Sequence, residues 1–204
     1  MTLASPELMA PRFVGLTAVF YGMLFLAAVV FSALRNRDLS ILGGSPFLNL
    51  SVGGITAWGT VALGVFLYRL LPVVQKLSDE LAPRLVDGAG KRDLILVSVF
   101  SGIGEEAFFR GALQPELGLV AASVLFGALH VVPERRFFVW TLLSVGAGFL
   151  FGFLYERTGG LLAPTTAHVL HNAATLLLWK HSRQERFRAL EGASVGNNAA
   201  RGEG

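Results

Sequence analysis

The sequence contains no cysteine. That excludes disulfides, thiolate metal centres and a cysteine nucleophile. It leaves the redox compartment open. Charge is scarce too: only 15% of the 204 residues are Asp, Glu, Lys or Arg, against about 25% in soluble domains. Such a chain is not an ordinary cytosolic globular protein. Nor is it intrinsically disordered, because disorder needs low hydrophobicity and high net charge. What is present is apolar: 53% of residues are hydrophobic and the mean hydropathy is +0.58.

The apolar residues fall in six charge-poor runs: 13–34, 47–68, 94–113, 117–132, 137–155 and 159–179. A bilayer core needs about 20 apolar residues as helix, so the first two runs are long enough to span. The expected fold is all-α: a polytopic membrane bundle of about six transmembrane helices. The first run is too long for a signal h-region, and no clear small-x-small cleavage site follows it, so it reads as retained. With six spans, thirteen Lys and Arg fall on the side shared by the N-terminus, the 2–3 and 4–5 loops and the C-terminal tail; three (Arg35, Arg37, Arg157) fall on the other. The positive-inside rule then places both termini in the cytoplasm. The basicity is topological, and no nucleic-acid partner is expected.

Residues 1–181 form the expected helical domain. Residues 182–204 turn polar and glycine-rich and read as a disordered tail. Between the second and third runs, Val74, Leu77, Leu81 and Leu85 recur at helical spacing, as in an interfacial amphipathic helix broken at Pro83 or a solvated linker helix. Gly148 and Gly152 form a GxxxG pair suited to close helix packing.

Polar groups inside such runs are costly and mark function by default. They are Glu105, Glu106 and Arg110 in the third run, His130 in the fourth, and His168, His171 and Asn172 in the sixth. Glu106 and Arg110 stand at i,i+4 in the favourable order for an internal ion pair. Glu105 lies about 100° around the wheel from Glu106 and has no such local partner. His168 and Asn172 share a helix face; His171 offers a rival pairing with His168. At 1.5 Å per residue, Glu105 sits roughly 16 Å from the cytoplasmic side, His168 roughly 18 Å and Asn172 roughly 12 Å. These depths allow one cavity. A carboxylate with imidazoles in it could activate water, hold a metal that does so, or relay protons. Spacing alone does not separate the three.

Glu105-Glu106-Ala107-Phe108-Phe109-Arg110 is an EExxxR motif, Phe126 to His130 is FxxxH, and His168 to Asn172 is HxxxN. The ordered set resembles the CAAX protease and bacteriocin-processing family, which includes the type II CAAX prenyl endopeptidases, over residues 91–175. The resemblance implies an intramembrane endopeptidase in a plasma membrane, acting on membrane-associated proteins or peptides. By motif position it makes Glu105 the carboxylate that activates water with His130. His168 and Asn172 would stabilise the oxyanion, and Glu106 and Arg110 would support the site. Metal-free chemistry is preferred; the alternative is a zinc ion on Glu105, His130, His168 and Asn172. A non-catalytic interaction or immunity-type membrane protein is a further alternative. Other intramembrane protease classes fit poorly. No HExxH occurs, and Asp38, Asp79, Asp87 and Asp93 all lie in loops or at a span edge.

Overall fold

The computed structural model describes the backbone of residues 6–202, apart from 132, 133, 135 and 136, and within that range the side chains of residues 13–189. Arg12, Arg135, Arg136 and Arg201, counted in the charge asymmetry, lie outside the described side chains. The described elements are all helical: α1 (Pro6–Leu34), α2 (Pro46–Leu70), α3 (Pro72–Val86), α4 (Lys91–Glu106), a π segment (Ala107–Leu113), α5 (Gln114–Ala128), α6 (Phe138–Thr158) and α7 (Leu162–Gly202).

Local chemistry sets the helix ends. Ser45 caps α2, and Pro46 and Pro72 stand at first-turn positions of α2 and α3, where a missing N–H costs nothing. Gly159, at φ 71°, closes α6 in the left-handed conformation. Pro83 lies inside α3 and does not break it.

Four helical stretches are long and apolar enough to cross a membrane: Phe13–Leu34, Pro46–Leu70, Lys91–Ala128 and Phe138–Thr158. The first two are the most apolar, yet only 6% and 11% of their spanning windows are buried. Apolar surface turned outward on that scale belongs against lipid. The expected six separate spans are thus four stretches plus α7. Two causes explain the difference. The polar residues His168, His171 and Asn172 dilute the hydropathy of α7. And the third and fourth runs join as one helical stretch.

That stretch is nevertheless a hairpin. At Gly118 the backbone takes φ 77°, ψ 166°, a region open essentially to glycine alone. The chain then doubles back, so that the Phe109 and Phe126 rings lie 5.1 Å apart edge to face. A straight helix would separate them by about 25 Å.

The packing is layered. α4 and α7 form the central pair; α1 packs on α4, α2 on α7, and α5 on α6. Glycines permit the closest crossings. A Cβ on Gly53 would meet the Ala163 carbonyl of α7 at 2.6 Å, and one on Gly148 would meet Ser123 of α5 at 3.0 Å. The GxxxG pair on α6 therefore does serve packing. Residues 35–45 and the α6–α7 turn share one end, joined by Leu161 N–H to Ser40 O (2.8 Å) and Leu162 N–H to Ile41 O (2.9 Å). At the other end α7 is held to α3 and its following turn by Arg183–Asp87 and Arg186–Asp79 ion pairs. α7 does not stop at residue 182 but continues as helix through Gly202; these ion pairs dock the first turns of the expected tail.

Candidate active site

The site lies where α4, α5 and α7 meet. Glu105 and Glu106 end α4, and the helix immediately widens into the π segment, where Gln114 N–H bonds Phe109 O. Such wide turns recur at functional sites. Glu106 is fully enclosed. Its Oε2 accepts from Arg110 Nε at 3.1 Å, and its Oε1 lies 2.8 Å from His168 Nδ1. An ionised carboxylate can only accept, so His168 carries its proton on Nδ1. The Arg110 guanidinium lies over the Phe126 and Phe109 rings, 5.0 and 5.9 Å from their centroids. The wheel separation predicted between the two glutamates is realised: Glu105 takes no part in the Arg110 pair.

Glu105 is buried, and its Oε2 has no hydrogen-bond partner. Two imidazoles face that oxygen. His130 Nε2 and His168 Nε2 each lie 3.9 Å from it. The tautomer of His130 is fixed as well: its Nδ1 lies 2.7 Å from the Phe126 carbonyl, which can only accept. Both rings therefore engage Nδ1–H elsewhere and turn Nε2 toward one carboxylate oxygen. This gives the FxxxH spacing a physical reason, since Phe126 supplies the carbonyl one turn before His130. Phe151 stacks on His168 at 5.0 Å, and Phe126 lies 4.6 Å from the His130 ring. The walls are thus aromatic.

Asn172 stands on the same face of α7 but a turn away, and its amide donates to Ser101 Oγ at 3.2 Å. His171 points to α2. The Thr60 hydroxyl donates to Ala57 O, so His171 Nδ1 donates to Thr60 Oγ1 at 3.0 Å. Of the two rival histidines, His168 is the one at Glu105. Sequence reasoning missed Tyr21 of α1, which packs against Gly104 beside Glu105. The available signal was weak: one phenol in a charge-free apolar run.

The donor chemistry of Glu105, His130 and His168 suits a divalent cation. The spacing is wider than a zinc tetrahedron, whose ligand atoms stand about 3.3 Å apart for bonds near 2.0 Å. Among the described residues, no group of three or more His, Cys, Asp or Glu side chains is arranged to hold a metal ion.

Residues 92–174 match the family model of the type II CAAX prenyl endopeptidase Rce1-like proteins. This segment is similar to that family. It contains all six motif residues of the site: Glu105, Glu106, Arg110, His130, His168 and Asn172. The chain is also 34% identical over 95 residues to "Uncharacterized protein YpbD" of Bacillus subtilis, covering 46% of this chain and 50% of that protein. It is 27% identical over 165 residues to "Putative membrane peptidase YdiL" of the same organism, covering 76% of this chain and 65% of that one. The chain thus spans half to about two thirds of the length of these curated relatives. No solved structure matches it. The Rce1-like segment and the apolar helices around it make this a multi-pass membrane protein.

Proposed function

We propose that the chain is an intramembrane endopeptidase that hydrolyses peptide bonds of membrane-associated substrates with a water activated by Glu105. One observation carries this reading: the buried Glu105 Oε2, without a partner, faces two Nε2 atoms at 3.9 Å. That gap is too long for a hydrogen bond and leaves room for a group between them. A water there donates to Glu105 Oε2. As its oxygen bonds the scissile carbonyl carbon, its proton passes to Glu105. The carbonyl oxygen gains negative charge and is met by His168, protonated at Nε2 and held by Glu106 through Nδ1. Asn172 completes that oxyanion contact once the substrate displaces its amide from Ser101. When the C–N bond breaks, Glu105 returns the proton to the leaving amine. His130 orients the water and shares its proton. Glu106 and Arg110 hold His168 in place.

The experiment compares protein termini by mass spectrometry in cells lacking this chain, complemented with wild type or Glu105→Gln. The expected result is a new terminus that appears with wild type alone. The same termini with Glu105→Gln would overturn the proposal, and a phenotype restored equally by both would favour a non-catalytic interaction protein.

The donor types alone, a carboxylate and two imidazoles, also suit a second reading, in which Glu105, His130 and His168, with Asn172, close up from their present spacing to hold zinc. The ion would supply a Lewis acid that activates bound water. Under the metal-free reading, purified protein keeps its activity after chelation and carries no stoichiometric zinc by elemental analysis. We place the protein in the plasma membrane with both termini cytoplasmic, on the thirteen-to-three distribution of basic residues. No residue of the site demands a prenyl group on the substrate.

A further inference from the structure

The groups around Glu105 share one property. The ring nitrogens that face it, His130 Nε2 and His168 Nε2, each stand 3.9 Å from its Oε2, too far to hydrogen-bond it. The Asn172 amide is on Ser101. A carboxylate with none of these groups in hydrogen-bond reach is not held in place by them. It needs a donor, and the donor that the fold brings to it comes from outside the Rce1-like segment.

α1 touches α4 one residue before Glu105. A Cβ on Gly104 would meet the Tyr21 carbonyl at 2.7 Å and the Tyr21 Cβ at 2.9 Å. Any side chain at 104 would push α1 away; glycine lets the two backbones touch. That contact fixes where Tyr21 begins and sets its phenol beside Glu105, the residue that follows Gly104. The Phe20 ring meets the Tyr21 ring edge on at 5.1 Å, which limits how the phenol can turn. We infer that Tyr21 is a positioning residue: its O–H hydrogen-bonds Glu105 and sets the carboxylate so that Oε2 faces the two histidines. Tyr21 does not touch the reacting bond. It acts through Glu105, and the inference rests on the endopeptidase reading proposed above.

The test uses Tyr21→Phe, which keeps the ring and removes the donor, beside wild type and Glu105→Gln, all purified as full chains. Two measurements are made. The infrared carboxylate stretch of Glu105 is isolated as the difference between wild type and Glu105→Gln. It should move to higher wavenumber in Tyr21→Phe, and this needs no substrate. Turnover is measured on a peptide spanning the cleavage site that the comparison of termini reveals. A lost hydrogen bond to a charged group predicts a fall in kcat of roughly 10- to 100-fold with KM unchanged. An unmoved band overturns the hydrogen bond. A moved band with unchanged kcat overturns the positioning role. A rise in KM with kcat unchanged assigns Tyr21 to substrate binding and overturns it too. If Glu105→Gln itself remains active, the endopeptidase reading fails while the infrared result still judges the Tyr21–Glu105 bond.

Discussion

Glu106 sits against the Arg110 guanidinium and the His168 ring, whereas its neighbour Glu105 keeps an unpartnered oxygen. Stability and activity should therefore separate between them. Glu106→Gln leaves the enclosed Arg110 charge uncompensated and should lower unfolding stability by about 3–5 kcal/mol. Glu105→Gln removes a buried charge without such a partner, so stability should hold or rise while proteolysis is lost. SDS-driven unfolding in mixed micelles measures the first effect, and the appearance of substrate termini measures the second. Much of this was legible in the sequence. The i,i+4 spacing named the ion pair, and the 100° offset named the odd glutamate. The clamp on His130 was not legible, because its partner is the Phe126 carbonyl and every residue has a carbonyl. Tyr21 was not legible either: only the crossing of α1 over Gly104 brings it near.

Helix crossings here are governed by which face a glycine presents. Gly53 and Gly54 are adjacent on α2 and about 100° apart around it. Gly53 lies against Ala163 and Thr166 of α7, while nothing lies within 4 Å of a Cβ on Gly54. Gly53→Ala should cost about 1–3 kcal/mol by forcing α2 off α7. Gly54→Ala should be neutral or stabilise by up to about 1 kcal/mol through helix propensity. The same unfolding assay separates them, and equal effects would mean that α2 does not pack as described. Helix content and the order of apolar runs were readable from hydropathy, as was the GxxxG role of Gly148 and Gly152. The break between runs 94–113 and 117–132 was readable at Gln114 and Glu116, beside the Gly118 turn; that the backbone stays helical up to that turn was not. α7 was readable as the sixth run, 159–179, although His168, His171 and Asn172 make it less apolar than the others.

At the scale of the molecule, the absence of cysteine becomes a tool, because any introduced thiol is the only one. Asp38 and Lys91 are both exposed and stand at opposite ends of the bundle. In intact cells, a membrane-impermeant thiol reagent should label Asp38→Cys and spare Lys91→Cys. In inside-out vesicles the pattern should reverse. Labelling of Lys91→Cys from outside would invert the topology read from the basic residues.

The returning arm of the hairpin has a consequence for the membrane itself. From Gly118 to the end of α5 at Ala128 the helix rises only about 15 Å, and Val120, Val124, Leu125 and Leu129 are turned outward along it. The hydrocarbon it adjoins is about 30 Å thick. Lipid beside α5 meets a hydrophobic wall half its own height, and the mismatch is relieved by thinning the leaflet there or by letting water in beneath the arm. His130 stands at that lower edge. The half-length helix thus leaves His130 beside a thinned leaflet rather than in the middle of a full-thickness bilayer.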